Sequence, residues 1–109
     1  MIMRRKSRYV LVASSKPFDI SKELGKFEAK LAEIVGIIEM AEMGLLLAKK
    51  LDDKAFIFRL SRGKERRFIL ALSFLKLDGV SFYSILTSGT IKSLLRKYNS
   101  LLAKNPVGD

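Results

Sequence analysis

A short run of hydroxyl, glycine and cationic residues, Ser88-Gly89-Thr90-Ile91-Lys92, carries the clearest chemical signal in the sequence. It lies between a β-branched and aromatic stretch, residues 80–86, and a basic helical pattern, residues 91–104. The run therefore predicts a strand that ends at a turn and leads into a helix. Because a helix N-terminus exposes unpaired N–H groups and the positive end of its dipole, this turn can hold a phosphate.

The side chains around this turn strengthen the phosphate prediction. Ser88 and Thr90 add hydroxyls, and Lys92, Arg96 and Lys97 add full positive charges. The plainer interpretation is that Ser88 only caps the helix and that the cations form a solvated face. For an isolated Ser-Gly-Thr the plainer interpretation would be favoured, but the basic surroundings favour phosphate binding here.

Other cations cluster at the N-terminus and at the start of a predicted second helix. Cations at a helix N-terminus oppose its dipole and repel one another, each at a cost of a few tenths of a kcal/mol. Bound phosphates would offset that cost, whereas Arg59 suits either a buried structural role or an RNA contact. The predicted RNA-binding residues are Arg4, Arg5, Lys6, Arg8, Arg59, Arg62, Lys64, Arg66, Arg67, Ser88, Gly89, Thr90, Lys92, Arg96 and Lys97.

The charge of the chain is large and unevenly distributed. Its 109 residues carry 21 Lys and Arg against 11 Asp and Glu, a net charge of +10, which favours a polyanionic partner. Residues 1–8 carry +4, residues 16–53 carry −2 and residues 54–104 carry +9. Two basic ends around a slightly acidic middle predict an RNA footprint and a separate face for protein.

The sequence lacks the usual catalytic groups. It contains neither Cys nor His, which excludes thiolate and imidazole metal sites and Ser-His or Cys-His nucleophile pairs. Asp52-Asp53 could in principle ligate Mg²⁺, but a turn between strands is the plainer explanation. A hydrolase using Ser88 or Asp52 lacks a general base at any readable spacing. We therefore predict no catalytic residue, no metal site and no autonomous enzymatic activity.

The hydrophobic patterns predict seven elements. Strands are expected at residues 9–14, 44–50, 54–60 and 80–86, and helices from residue 19 or 21 to about residue 40, at residues 62–77 and at residues 90–103. The order β-α-β-β-α-β-α predicts an α+β, ferredoxin-like antiparallel sheet with strand order 4-1-3-2, two helices on one face and an added C-terminal helix. We expect one RNA-binding domain, residues 1–104, and a flexible tail, residues 105–109.

An aromatic strand leaves two interpretations open. Phe56 and Phe58 point to the same face because they are two residues apart on a strand, and Tyr9 lies on the partner strand. They could stack RNA bases, as in RNA-recognition domains, or pack under a helix. The last helix also needs a place to bury its leucines, and the open side of the sheet is the expected one. These leucines are Leu94, Leu95, Leu101 and Leu102.

Three parts of the sequence resemble the archaeal ribonuclease P protein component 2 family. The run at residues 88–92, with Arg96-Lys97 one turn later, is similar to its C-terminal signature. Residues 56–62, followed by Ala71-Leu72, resemble its strand, arginine and helix block, and residues 8–10 resemble its first strand. The likeness extends from residue 8 to about residue 98 and implies the same ferredoxin-like fold.

This resemblance implies a non-catalytic subunit of ribonuclease P, the ribonucleoprotein that removes 5′ leaders from precursor tRNA. In that family the RNA carries the catalytic magnesium ions, and the protein stabilises the RNA and binds component 3, a TIM-like barrel. It also implies self-association within a heterotetramer and no cofactor bound by the protein itself.

The alternative function is that of a module that stacks single-stranded RNA on Phe56, Phe58 and Tyr9. With no signal peptide or membrane-spanning stretch in the sequence, we expect a cytoplasmic protein without membrane contact.

Overall fold

Five strands and four helices make up the computed structural model, which describes residues 6–104. The elements follow one another as β1 (Ser7–Ser14), α1 (Ile20–Val35), α2 (Ile37–Met43), β2 (Leu46–Asp52), β3 (Ala55–Ser61), α3 (Glu65–Leu72), β4 (Lys76–Leu77), β5 (Val80–Ser88) and α4 (Ile91–Lys104). The fold is α+β and ferredoxin-like with a C-terminal helix, which confirms the predicted class.

The sheet is antiparallel, with the strand order β2-β3-β1-β5-β4. Since β5 is the predicted fourth strand, the predicted order 4-1-3-2 is confirmed and β4 is an extra edge strand. The central strand β1 pairs with β3 through Val10 and Phe58, and with β5 through Val10 and Thr87. A bulge on β5 at Ile85 shifts the register between Leu11 and Val12.

A cluster of aromatic rings forms the main core, between the sheet and helices α1 and α3. The ring of Phe58 stacks on that of Phe27 with centroids 5.1 Å apart and meets Phe68 edge-on at 5.6 Å. Phe56 and Phe58 have no exposed surface. The interpretation that they pack under helices is therefore correct, and the alternative that they stack RNA bases is wrong.

Helix α4 covers the opposite face of the sheet. Its apolar stripe places Leu94, fully buried, against Leu11 and Ile57, with Tyr9 and Tyr98 packed around them. The residues of this stripe, Ile91, Leu94, Leu95 and Tyr98, are three or four positions apart and so lie on one face of the helix. The predicted burial of this helix on the open side of the sheet is confirmed for its first two turns, whereas Leu101 and Leu102 remain exposed. Because Tyr9 lies beneath this helix, it cannot serve as the predicted open stacking platform.

The second predicted helix is shorter at both ends than residues 62–77. Gly63 adopts a φ of +96°, which places a turn before the helix starts at Glu65. At the other end, Asp78 and Gly79 have φ of +49° and +78°. Positive φ at both central residues is the type I′ geometry of a two-residue hairpin, so residues 76–77 form strand β4 beside β5.

The first predicted helix is interrupted. Gly36, with a φ of +91°, ends α1 through an N–H bond to the carbonyl of Ala32 at 2.7 Å. Its own carbonyl accepts the N–H of Met40 at 3.0 Å and so begins α2. The helical conformation therefore continues past the predicted end near residue 40. It ends at Gly44, whose backbone has the left-handed conformation.

We expect Phe58→Ala to lower the free energy of unfolding by about 3–5 kcal/mol, because it removes a fully buried ring from the aromatic core. Phe74→Ala is the matched control: Phe74 is 70% exposed, and its loss should cost no more than about 0.5 kcal/mol. Chemical denaturation of both variants measures the difference, and equal losses would contradict the placement of Phe58.

Candidate nucleic-acid interface

Three chain segments meet at one end of the sheet. The antiparallel register sets Ser7 opposite Ser61 and Tyr9 opposite Ser88, so the start of β1 lies between the ends of β3 and β5. They enclose an open depression of about 340 Å³, here called the basic depression. It is lined by Lys6, Ser7, Arg8, Arg62 and Gly89. The sheet thus brings together predicted RNA-binding residues that are more than 80 positions apart in the sequence.

Arg8 is oriented within the basic depression by a neighbouring carboxylate. Its Nε lies 3.3 Å from Glu65 Oε2, an ion pair outside hydrogen-bond geometry, while Glu65 Oε1 accepts the N–H of Gly63. The Nη1 of Arg8 lies 3.8 Å from the point where a Cβ on Gly89 would stand. The guanidinium therefore spans from α3 to the turn before α4, and its side chain is 34% exposed.

The helix N-terminus beside this depression is capped by Thr90. The Thr90 hydroxyl oxygen accepts the N–H of Ser93 at 3.1 Å, whereas Ser88 is buried at the end of β5 with its Oγ 3.5 Å from the N of Thr90. The capping role that the plainer interpretation gives to Ser88 thus belongs to Thr90. Because the N–H groups of Ile91 and Lys92 have no intrahelical acceptor, they remain available to an anion.

The cations of α4 lie away from its buried stripe. Lys92, Arg96 and Lys97 are exposed, and Lys92 and Arg96 are four residues apart on one helical face. Arg59 is also exposed at this end of the sheet and donates from Nε to the Oγ of Ser7 at 2.8 Å. The buried structural role for Arg59 is wrong. These residues extend the positive charge of the basic depression outward.

Cations at the start of α3 are held by glutamates of α2. Glu39 contacts Lys64 Nζ through Oε2 and Arg67 Nη1 through Oε1, both at 3.1 Å, and Lys64 also lies 3.7 Å from Glu42. The expected repulsion in this turn is thus offset by carboxylates rather than requiring bound phosphate. Arg66 is exposed. The predicted contacts Arg4 and Arg5 lie outside the described residues.

The acidic residues within residues 6–104 do not form a metal-binding cluster. No three acidic residues in that range are grouped to hold a metal ion. Asp52 is the last residue of β2 and Asp53 stands in the exposed turn that follows, where Asp52 Oδ1 accepts the N–H of Lys54 at 2.7 Å. Among the helices of this range, none has the length and apolar character needed to cross a membrane.

Comparison with known proteins yields a match in fold. No protein-family model and no curated protein matches the sequence. Among solved structures, the chain is similar to a chain in the cryo-EM structure of yeast ribonuclease MRP, with a TM-score of 0.59 and 12% sequence identity. The match covers 96% of this chain and 100% of that chain. At this identity it establishes a shared fold over nearly the whole length.

We expect Lys92→Ala combined with Arg96→Ala to weaken RNA binding by about 1–3 kcal/mol, because both cations flank the open N-terminus of α4. The log–log salt slope should fall in magnitude by about 1.4 to 1.8, two contacts' worth.

Lys22→Ala combined with Lys26→Ala is the matched control, since it removes two exposed cations at the same spacing from α1. Fluorescence anisotropy at several salt concentrations measures both variants. Equal losses of affinity in the two double variants would show that only net charge matters. Normal RNA binding by the Lys92 and Arg96 double variant would show that the turn before α4 is only a helix cap.

Proposed function

We propose that this chain is a non-catalytic protein subunit of a ribonuclease P-type ribonucleoprotein in the cytoplasm. It binds and stabilises the catalytic RNA that removes 5′ leaders from precursor tRNA. The observation that carries the proposal is the convergence of Lys6, Arg8 and Arg62 beside the N-terminus of α4. Such a site offers backbone donors and full charges together, which is the chemistry that a phosphate backbone requires.

Two observations, one on the sequence and one on the fold, support this proposal. The sequence signature at residues 88–92, with Arg96-Lys97, resembles archaeal ribonuclease P protein component 2. The fold is shared with a chain of the yeast ribonuclease MRP structure, which supports an RNA-processing ribonucleoprotein. Gly89 of that signature lines the basic depression, and Thr90 caps the helix beside it, so both observations support the same RNA-contacting surface.

The chemistry of the reaction is assigned to the RNA rather than to the protein. With neither His nor Cys in the sequence, the protein has no side chain whose unperturbed pKa lies near neutrality to serve as acid or base. Hydrolysis of a phosphodiester by metal ions needs a site that activates water and stabilises the leaving oxygen. In this proposal the magnesium ions lie on the RNA, and the protein supplies positive charge and shape.

A second surface fits a protein partner. Helices α1, α2 and α3 border a groove of about 300 Å³, here called the apolar groove, lined by Ile34, Val35, Glu39, Arg67, Leu70, Ala71 and Phe74. Ile37 and Ile38 beside it are 82% and 78% exposed, and Phe74 is 70% exposed. Large apolar side chains that are exposed together mark an interaction site.

The apolar groove is distinct from the hydrophobic run at residues 40–47, which includes Leu45, Leu46 and Leu47. Met43 is fully buried there, and only Leu46 among the three leucines is strongly exposed. The Glu39 ion pairs neutralise two cations at the groove, which makes it less attractive to RNA than the basic depression. We assign the groove to component 3, the partner that the family resemblance implies.

We expect no cleavage of precursor tRNA by the protein alone and full cleavage only when ribonuclease P RNA, component 3 and this chain are combined. The lack of acid–base side chains is the physical reason. Gel assays of 5′-labelled precursor tRNA measure cleavage in each mixture. Activity of RNA-free protein would overturn the assignment, as would an RNA–component 3 mixture whose activity does not respond to this chain.

We expect Leu70→Asp combined with Phe74→Asp to weaken binding to component 3 by about 2 kcal/mol or more, since a charge would be buried in an apolar interface. RNA binding should be unchanged, because the basic depression lies elsewhere. Leu102→Asp, at an exposed leucine on α4, is the control. Calorimetric titration measures the affinity, and an unaffected double variant would show that component 3 binds another surface.

A further inference from the structure

The face of the sheet that carries α4 is not completely covered. Beyond the buried stripe of the helix lies a depression of about 640 Å³, here called the tyrosine depression. The residues used below are Ala13, Ala55, Tyr83, Tyr98, Asp52 and Asp53. They lie near the β2–β3 turn and the far end of β1, away from the basic depression.

The floor and wall of the tyrosine depression suit a flat ring. Ala13 lies between Tyr83 and Ala55 on the three neighbouring strands β5, β1 and β3. Residues opposite one another in a sheet share a face, so the two alanine methyls form a low floor beside the ring of Tyr83. Tyr83 as a residue is 53% exposed, and Tyr98 on α4 forms another part of the lining. This leaves an aromatic face open for stacking.

The rim adds hydrogen-bond acceptors. Asp52 already uses Oδ1 to hold the N–H of Lys54, while the exposed Asp53 is tied only loosely, 3.8 Å from Lys50 Nζ. Ionised carboxylates accept but do not donate, and they repel phosphate. A guanine base offers N1–H and N2–H₂ as adjacent donors that match the two oxygens of one carboxylate. Uracil places a single donor between two acceptors, so it can make one such hydrogen bond to a carboxylate instead of two.

We infer that the tyrosine depression binds an unpaired guanine of the RNA, stacked on Tyr83 with its donors directed to Asp53. This inference rests on the proposed RNA-binding function and adds a base-reading subsite to it. Helix α4 links the two regions: from Ile91 to Tyr98 it rises about 10 Å, and Lys92, Arg96 and Lys97 occupy its exposed side between them. An RNA strand that follows these cations from the basic depression reaches Tyr98.

The subsite differs from the rejected stacking platform. Phe56 and Phe58 belong to the opposite face of the sheet and are fully buried, whereas Tyr83 lies on the face that α4 covers only in part. Stacking of one base on an aromatic side chain is sequence-tolerant, so selectivity here depends on the carboxylate rim.

The test is a nuclear magnetic resonance titration of the full chain with the trinucleotides UGU and UUU, following the tyrosine ring signals. We expect UGU to shift the signals of Tyr83 and Tyr98 and to bind more tightly than UUU. Tyr83→Ala should weaken UGU binding by about 5- to 150-fold, and Tyr83→Phe should preserve it. Asp53→Asn should bring the UGU-to-UUU affinity ratio close to one, whereas the charge control Glu33→Gln should not.

Failure of the inference and failure of the proposed function give different results. If ribonuclease P RNA binds with a steep salt dependence but UGU moves no tyrosine signal, or moves them no more than UUU, the guanine subsite is wrong and the function stands. If an arginine-containing peptide moves these signals and UGU does not, the depression is a protein contact and the inference is also overturned. If UGU binds as expected but ribonuclease P RNA does not, the proposed function is wrong and the subsite stands.

Discussion

Strand β1 is buried on both faces, and the arrangement of the whole molecule follows from that constraint. Val10 and Val12 face the aromatic core under α1 and α3, while Leu11 faces α4, and none of the three has exposed surface. A strand enclosed in this way needs partners on both edges, because an unpaired backbone group away from water is costly. The pairings with β3 and β5 therefore fix where β1 begins, which places Lys6 and Arg8 beside Arg62 and Gly89.

Carboxylates decide which cations of this strongly basic chain remain open to a partner. Glu39 engages Lys64 and Arg67 at 3.1 Å, so these cations tie α3 to α2. Glu65 contacts Arg8 at only one edge of its guanidinium. Arg8 thereby keeps part of its hydrogen-bonding capacity in an orientation limited by its neighbours, which reduces the ordering cost of binding a phosphate. Charge count alone would treat these three cations as equivalent, whereas the structure distinguishes them.

The sequence predicted the order of strands and the position of the turn before α4, because alternation and helical spacing are local properties. It extended the second helix to residue 77 and so missed strand β4, although Asp78-Gly79 between apolar residues is a strong signal for a type I′ turn between two paired strands. It also could not decide which face Phe56 and Phe58 occupy, since strand alternation says that they share a face but not which helices cover it. The basic depression depends on long-range register, and the Glu39 ion pairs depend on α2 lying beside the start of α3, neither of which a local pattern contains.

Helix α4 connects the stability of the fold to the binding of RNA. Its buried stripe, centred on Leu94, packs on the sheet, while its N-terminus and exposed cations form part of the proposed RNA surface. A ligand that binds only the folded arrangement stabilises it in proportion to the logarithm of its concentration relative to the dissociation constant. Because α4 makes few contacts other than those with β1, β3 and β5, its docking is the step that RNA can reinforce most directly. In such an assembly, the RNA would hold the helix on the sheet while the helix positions its N–H groups for the RNA.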